Sequence, residues 1–356
     1  MESTQLTSLT KSELEEFVIR YKQPKFRADQ LFKGIHGRRL REFSDFSDLP
    51  KDFRDLLSDT ATLSSLRVES RFISADGTRR FLMKTSDGYP VETVFIPSDG
   101  RDTICFSSQS GCPLKCDFCL TARLGLFRNL TVGEIVEQVI IALNDVYGQA
   151  TETPHGTNLV GMGAGEPFLN FDNLIKAVEL MSAEDGLFIV PDRITISTAG
   201  VVPRIYDYAK LPRRPHLAIS LSAPNDELRN KLMPINTKWD IKELLTAAKT
   251  FEGSLRKGER FTFEYVLLGG VNDSSEQARE LAELISRFGL TRVKINLIAH
   301  NSAEPLEYRP PTDEKVEEFQ RTLINHGVDV FLRRPRGRDI YAACGQLAAR
   351  SQEVTA

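Results

Sequence analysis

The chain has few of the residues that build disulfide frameworks and membrane spans. Cysteine accounts for only five of its 356 residues, and an odd number argues against a disulfide framework. No segment approaches the roughly 18 continuous apolar residues that a membrane span requires, and the amino terminus carries no apolar run. These absences predict a soluble protein that works in a reducing compartment, the cytoplasm, without a membrane partner.

The chain also lacks a strong excess of either charge, because its formal net charge is only −3. Clustered arginine beside glycine and proline suits contacts with RNA phosphates, whereas the alternative interpretation is an ordinary solvated surface. Composition alone leaves both interpretations open. The basic residues cluster in two runs. The first run consists of Lys22, Lys25, Arg27, Lys33, Arg38, Arg39 and Arg41. The second run consists of Arg333, Arg334, Arg336 and Arg338.

Residues 1–97 are predicted to form an accessory region that binds RNA. Residues 1–60 have helical periodicity, with a capping-box pattern at Ser12 and Glu15. Residues 61–97 alternate between apolar and polar side chains, and Asp76-Gly77 and Asp87-Gly88 are typical hairpin turns. We therefore expect helices followed by a small antiparallel sheet.

Residues 98–350 alternate apolar strands with amphipathic helices, and 351–356 form a short tail. This alternation predicts a parallel sheet, and six or seven units in about 250 residues favour a barrel or partial (β/α) barrel of the α/β class. The predicted strands are TICFSS, NLVGMG, RITIST, LAISLSA, FTFEYVLL, VKINLIA and VDVFLR, and the predicted helices are Thr131–Val146, Phe171–Met181, Val202–Ala209, Ile241–Phe251, Ser275–Phe288 and Thr312–His326.

Three of the five cysteines, Cys112, Cys116 and Cys119, follow the first predicted strand in a C-x3-C-x2-C pattern. Three thiolates leave one iron of a cubane iron–sulfur cluster open, because a saturated cluster needs four ligands. The carboxyl ends of barrel strands are also where catalytic loops lie. The alternative is a structural zinc site, which usually has four protein ligands. The spacing favours the cluster.

Polar and small residues follow several later strands. Gly165 and Glu166 end the second strand in a glycine-rich turn, where the backbone can approach a ligand closely. Glu92 lies in an otherwise apolar strand, either facing solvent or serving as a base with a raised pKa. Further donors and acceptors around the predicted barrel mouth are Ser197, Ser220, Leu221, Ser222 and Asn301.

Taken with the remaining cysteines, Cys105 and Cys344, these motifs resemble the RlmN/Cfr family of radical S-adenosylmethionine (SAM) RNA adenine methyltransferases. The resemblance spans nearly the whole chain and implies a partial barrel of the radical SAM type with an N-terminal accessory domain. Cys105 and Cys344 in these contexts distinguish the family from other radical SAM enzymes. The matching stretches include FRADQLFKGIHGR, VETVFIP, CFSSQSGCPLKCDFC, MGAGEP, SLSAPNDELRNKLMPIN, GVND and DIYAACGQL.

The resemblance implies a set of cofactor-binding residues. Cys112, Cys116 and Cys119 would bind a [4Fe–4S] cluster, whose open iron would chelate the amino and carboxylate groups of SAM. An electron donor such as flavodoxin or ferredoxin would reduce the cluster, and we expect a monomer. The rest of SAM would be held by Gly165, Glu166, Ser197, Ser220, Leu221, Ser222 and Asn301.

The resemblance also implies catalytic roles, with two SAM molecules used per turnover. Cys344 would accept a methyl group from one SAM, and a 5′-deoxyadenosyl radical from a second SAM would take a hydrogen atom from that methyl group. The resulting methylene radical would add to the adenine. Glu92 would then remove the ring proton, and Cys105 would release the RNA by forming a transient disulfide with Cys344.

RlmN-type members methylate carbon 2 of an adenosine in 23S rRNA, and some also act on tRNA. This is the reaction that we predict. Three alternatives remain: Cfr-type methylation of carbon 8 of the rRNA adenosine, a different radical SAM enzyme such as a glycyl-radical activase, and a non-catalytic RNA-binding protein with a structural zinc.

Overall fold

A computed structural model describes residues 3–150, 152–153 and 155–347. The predicted tail at 351–356 and the end of the predicted barrel segment at 350 lie outside the described residues. The strands are β1 (Thr4–Gln5), β2 (Ala61–Thr62), β3 (Leu66–Ile73), β4 (Arg79–Thr85), β5 (Pro90–Ile96), β6 (Arg101–Cys105), β7 (Gln109–Gly111), β8 (Leu126–Asn129), β9 (Gly156–Gly161), β10 (Ile194–Thr198), β11 (His216–Ser220), β12 (Phe261–Leu267), β13 (Val293–Ala299) and β14 (Val330–Arg333).

The helices of the described ranges alternate with the later strands, as the sequence predicts. None of them is long and apolar enough to cross a membrane. They are α1 (Lys11–Arg20), α2 (Phe26–Phe32), α3 (Lys51–Thr60), α4 (Leu120–Arg123), α5 (Val132–Tyr147), α6 (Phe171–Ser182), α7 (Val202–Ala209), α8 (Asp226–Leu232), α9 (Ile241–Gly253), α10 (Ser275–Arg287) and α11 (Asp313–Asn325).

Ten strands form one sheet in the order β14-β13-β12-β11-β10-β9-β6-β5-β4-β3. The seven strands from β14 to β6 are parallel, and helices connect them in sequence. Because β14 and β3 lie at opposite edges, the parallel part is a partial barrel rather than a closed one. The predicted α/β architecture is therefore confirmed.

The antiparallel strands β3–β5 do not form the separate small sheet that the sequence predicts. They continue the large sheet, since β5 pairs with β6 in a register that places Val94 opposite Cys105. The predicted boundary at residue 97 therefore does not separate two sheets. It lies near the point where strand pairing changes from antiparallel to parallel. That it is a domain boundary stays a prediction.

The N-terminal helices pack on the barrel through one hydrophobic core. Leu14 of α1 and Leu31 of α2 are fully buried in the same cluster as Ile135 and Val139 of α5. Helix α5 begins with a capping box, in which the Thr131 hydroxyl accepts a hydrogen bond from the Glu134 N–H at 3.2 Å. This box fixes the residue at which the buried helix starts. The N-terminal region therefore packs against the barrel.

The N-cap of α1 lies two residues before the N-cap that the sequence predicts. Thr10 is the N-cap, and the Glu13 carboxylate accepts a hydrogen bond from the Thr10 N–H at 2.7 Å, so the Ser12 prediction is wrong. The physical reason lies next to the cap. Leu9 and Leu14 hold the N′ and N4 positions of a hydrophobic staple, and both pack in the core.

Candidate active site

The three-cysteine loop lies at the carboxyl end of β6, between β7 and α4. Backbone hydrogen bonds fix both of its ends: the Cys112 N–H donates to the Gly125 carbonyl at 2.9 Å, and the Leu120 N–H donates to the Gly345 carbonyl at 2.9 Å. Cys112, Cys116 and Cys119 all line one pocket. The structure thus brings the three predicted ligands together at the barrel mouth.

Burial protonates these thiols when no metal is bound. It raises the pKa of Cys112 to about 12 and also raises those of Cys116 and Cys119, and the thiols add to the effect by repelling one another as anions. Within the described residues, no three His, Cys, Asp or Glu side chains form a site for a single metal ion. Three partly buried thiols that share a pocket need the positive charge of iron to become thiolates, so this donor set fits an iron–sulfur cluster.

The glycine-rich turn after β9 forms another wall of the same pocket. Gly165 has a φ of +102°, and a Cβ atom there would lie 2.6 Å from the Cβ of Gln109, so both conformation and space require glycine. Gln109 also accepts a hydrogen bond from the Glu166 N–H at 2.8 Å. The turn is thereby locked against the strand that leads into the cysteine loop.

The Glu166 carboxylate is buried and lines the pocket, but it already has backbone partners. It accepts hydrogen bonds from the N–H groups of Phe168 at 3.0 Å and Ala199 at 2.7 Å. Burial raises its pKa to about 7, and these hydrogen bonds oppose the shift. Each carboxylate oxygen has a second lone pair, so Glu166 can still accept a hydrogen bond from a ligand amino group while it holds two loops in place.

Four predicted strand-end residues divide into those that reach the pocket and those that do not. Ser197 and Ser220 line it, whereas Leu221 is fully buried in the core. Ser222 is also fully buried, and its hydroxyl accepts a hydrogen bond from the Val266 N–H at 3.4 Å. The structure therefore does not place the side chains of Leu221 and Ser222 in the pocket.

Cys344 joins the cysteine pocket to a second, adjoining pocket that also contains Cys105. The segment that carries Cys344 is held by Asn301, whose amide donates to the Cys344 carbonyl at 3.3 Å, and by Thr121, whose hydroxyl donates to the Leu347 carbonyl at 2.7 Å. Cys105 and Cys344 are both free thiols, so the predicted transient disulfide is not formed in this structure.

Cys105 lies in an apolar setting on β6. It packs with Val94, Ile340 and Leu347 in a small hydrophobic cluster on the inner face of the sheet. Burial raises the pKa of its thiol to about 12, and the neighbouring Cys344 adds to this shift. Cys105 is therefore a protonated, protected thiol in the resting protein.

Glu92 is buried in an ion pair rather than exposed at a rim. Its carboxylate lies 2.8 Å from the Arg80 guanidinium, and both side chains are less than 5% exposed. Glu92 is two residues from Val94 and so shares its face of β5, the face that packs against Cys105. It does not line either of the two pockets described above.

Arg333, which belongs to the second basic run, is a pocket residue. Its side chain lines both pockets, where its single hydrogen bond among the described residues goes to the Met162 sulfur at 3.5 Å. The anionic form of Cys344 is the main cause that raises the pKa of Arg333. A positive charge therefore lies beside the two isolated cysteines.

Glu264 on β12 was also missed by sequence reasoning. It lines the cysteine pocket, and its Oε1 atom accepts a hydrogen bond from Asn296 at 2.9 Å, while Oε2 has no partner among the described residues. Burial raises its pKa. An acidic residue within the apolar strand FTFEYVLL was the available signal.

The two basic runs have different environments. In the first, Arg39 is buried against Asn144 at 2.9 Å, and Arg41 pairs with Glu137 at 2.5 Å, so these two cations serve packing. In the second, Arg338 donates to the Asn301 side chain at 2.8 Å. Part of each run is thus structural rather than available for phosphates.

The chain matches two family models, the Radical SAM superfamily over residues 106–282 and the ribosomal RNA large subunit methyltransferase N-terminal domain over residues 4–63. It is 48% identical over 349 residues to a probable dual-specificity RNA methyltransferase RlmN from Koribacter versatilis, covering 94% of this chain and 98% of the relative. It is 42% identical to the dual-specificity RNA methyltransferase RlmN from Geobacter sulfurreducens, covering 96% of this chain and 91% of the relative.

A solved structure is similar over almost the entire chain. It is the crystal structure of a radical SAM methyltransferase from Sphaerobacter thermophilus, with a TM-score of 0.92, 38% sequence identity, and coverage of 98% of this chain and 100% of that one. The predicted fold of the radical SAM type is therefore confirmed.

Proposed function

Because the chain belongs to the RlmN family of radical SAM RNA methyltransferases, we propose that it methylates carbon 2 of an adenosine in 23S rRNA and in tRNA. Cys344 carries the methyl group. The observation that supports this most is the position of Cys344, which shares one pocket with the three-cysteine loop and the next with Cys105. The alternative of a non-catalytic zinc protein is contradicted by membership in a family of methyltransferases.

We assign the cofactors to the cysteine pocket. Cys112, Cys116 and Cys119 hold the [4Fe–4S] cluster, whose chemistry with SAM, once reduced, is to supply a 5′-deoxyadenosyl radical. Two SAM molecules are consumed per methylation, one as methyl donor and one as radical source. Gly165, Glu166, Ser197, Ser220 and Asn301 line the space that we assign to SAM.

Cys344 acts first as a nucleophile, which requires its thiolate form. The Arg333 guanidinium beside it stabilises that form, and the Asn301 amide holds the backbone of the segment. Arg333 forms no salt bridge within the described residues, and both Cys344 and the Glu264 carboxylate lie close enough to interact with its charge.

Glu92 and Cys105 complete the reaction. The adduct formed when the methylene radical bonds to carbon 2 carries one unpaired electron, which the cluster would take back as Glu92 accepts the proton from that carbon. Arg80 keeps the Glu92 carboxylate in place. The Cys105 thiolate, formed by losing its proton, then attacks the sulfur of Cys344. A disulfide forms, the bond between that sulfur and the methylene carbon breaks, and the electron pair left on carbon takes up a proton to give the methyl group.

The remaining assignments concern partners and place. The N-terminal region 1–97 binds RNA, and residues 98–350 form the catalytic domain. The protein works as a monomer in the cytoplasm, where its RNA substrates are, and receives electrons from flavodoxin or ferredoxin. Relatives that are dual-specificity RNA methyltransferases support two RNA substrates.

Mass spectrometry of nucleosides tests this function. Ribosomal and transfer RNA from cells with and without the gene are digested, and the methyladenosines are separated by the ring carbon that carries the methyl group. We expect 2-methyladenosine to disappear from both RNAs when the gene is absent. Loss of 8-methyladenosine instead would establish Cfr-type chemistry, and unchanged methyladenosines would overturn the proposal.

A further inference from the structure

Two exposed aromatic rings, Tyr89 and Phe127, stack on each other at the surface. Their centroids lie 5.4 Å apart with an interplanar angle of 28°. The side chains are 37% and 44% exposed, whereas the other stacked pair in the described structure, Tyr208 and Phe251, is buried. Single exposed apolar residues are ordinary, but a preformed pair of rings in solvent points to a binding surface.

The pair is held rigidly by Arg128. This guanidinium donates two hydrogen bonds of 2.7 Å to Asp87, in the turn that presents Tyr89, and further hydrogen bonds of 2.7 and 2.8 Å to Glu134 at the start of α5. Arg128 also lies over the Tyr89 ring at 5.9 Å. Because the rings are fixed before a ligand arrives, a ligand that stacks on them meets little ordering cost.

The pair borders the cysteine loop. Phe127 lies on β8, which pairs with β7, the strand that runs directly into Cys112. A Cβ atom at Gly111 would lie 3.3 Å from the Phe127 ring, so this ring covers the backbone just before the first cysteine. Tyr89 precedes β5, the strand that carries Glu92. The pair therefore lies on the same rim of the barrel as the pocket.

We propose that Tyr89 and Phe127 form a stacking platform for an unpaired base of the RNA substrate, next to the nucleotide that enters the pocket. The proposal rests on the proposed function, since it needs an RNA whose target base reaches Cys344. Flat aromatic faces bind unpaired bases by stacking. The platform holds a neighbouring nucleotide of the RNA in place while the target base enters the pocket.

Charge favours RNA bases over an electron-donor protein as the occupant. Arg128 pairs with both Asp87 and Glu134, so this ion cluster has one positive and two negative charges and offers no positive charge to a partner. Transient complexes with electron donors depend largely on charge complementarity. Stacking on rings without an available cation instead predicts binding energy that hardly changes with salt.

Binding of a single-stranded oligoadenylate RNA with one 2-aminopurine tests the platform. The full-length protein is titrated without SAM or reductant, so a failure of methylation chemistry and a failure of this binding site are distinguishable. Tyr89→Ala and Phe127→Ala should each weaken binding about tenfold, abolish fluorescence quenching and leave the salt slope unchanged. Tyr89→Phe and Phe127→Trp should retain wild-type binding.

Phe188→Ala provides a matched control, because Phe188 is an exposed phenylalanine outside the platform, at 58% exposure. It should bind as the wild type does, and melting curves should show all variants folded. The proposal is overturned if the wild type gives no quenching or if the alanine variants bind RNA normally. A third result would also overturn it: the alanine variants keep RNA binding, flavodoxin reduces their cluster more slowly, and dithionite reduces it at the wild-type rate. That result would assign the surface to the electron donor.

Discussion

The two adjoining pockets use the same residue, cysteine, in different surroundings. In the first pocket, Cys112 and Cys116 face other thiols and the buried Glu166 carboxylate. Burial disfavours the negatively charged form of each of these thiols. In the second, Cys344 lies beside the Arg333 guanidinium, and Cys105 lies in an apolar cluster behind it. The two pockets therefore differ in their neighbours: other thiols surround the first set, whereas the Arg333 guanidinium lies beside Cys344 in the second.

This difference separates holding a cofactor from performing chemistry. Thiols that are neutral without iron gain their charge only when a cluster binds, so we expect Cys112, Cys116 and Cys119 to serve as its ligands. A thiol beside a permanent cation can be a nucleophile without metal. Substitutions in the two pockets should therefore fail in different ways.

The largest effect is expected in the cofactor pocket. Cys116→Ala should remove both the brown colour of the anaerobically purified protein and all RNA methylation, because two thiolates cannot hold the cluster. Iron analysis and visible absorbance measure the first loss, and nucleoside mass spectrometry measures the second. A Cys116→Ala protein with full iron content would remove the distinction between the pockets.

Cys344→Ala should abolish methylated RNA but spare the cofactor. Its thiol is not one of the proposed cluster ligands, so iron content and reductive cleavage of SAM should remain near the wild-type level. Product analysis beside a cleavage assay separates these outcomes. A glycyl-radical activase would tolerate this substitution, so unchanged RNA methylation would contradict the assigned role.

Cys105→Ala should stop the reaction one step later. Methyl transfer to Cys344 and bond formation with the adenine need no second thiol, whereas release does. A covalent RNA–protein species should therefore accumulate and be visible on a denaturing gel. Free methylated RNA at the wild-type rate would show that Cys105 is only a core residue.

Arg333→Met should slow methyl transfer to Cys344 about tenfold, since it removes the charge that stabilises the thiolate. Arg333→Lys should restore much of the rate. Arg334→Met is the matched control, because Arg334 lines the second pocket while remaining exposed. The rate is followed on the intact protein by mass, with iron content measured in parallel. An equal loss of rate in both methionine variants would argue for a general electrostatic effect.

The smallest effect concerns stability at alkaline pH. Folding raises the pKa of Cys105 and Cys112 from the ordinary 9.0 to about 12, so the folded protein binds more protons than the unfolded chain between these values. Stability of the iron-free protein should therefore fall as pH rises from about 9 towards 12. Melting curves at pH 8 and 10 measure this, and Cys112→Ala should reduce the slope. A melting temperature that is constant over this range would contradict the shifts.

The parts of the site that follow a local pattern could be predicted from sequence. Spacing alone brought Cys112, Cys116 and Cys119 to one loop, and alternation of strands and helices placed that loop at the barrel mouth. Turn residues such as Asp76-Gly77 also lie between the strands that they were predicted to join. In each case the sequence pattern lies within a few residues of the structural feature that it predicts.

The parts that depend on distant partners could not be predicted. Glu92 is paired with Arg80 across neighbouring strands, and no spacing rule identifies that partner. Arg333 looked like one cation of a surface run, but β14 turns it into the pocket. Ser222 lies two residues beyond the end of β11, and its hydroxyl is satisfied by the backbone of β12.

The most direct test of the central role of Cys344 is the mass of its peptide. Protein reconstituted with iron and sulfide is incubated anaerobically with SAM that carries a deuterated methyl group, without reductant or RNA, and then digested. The account predicts one deuterated methyl group on the peptide that contains Cys344 and none on the peptide that contains Cys105. RNA methylation by a protein whose Cys344 stays unmodified would contradict it.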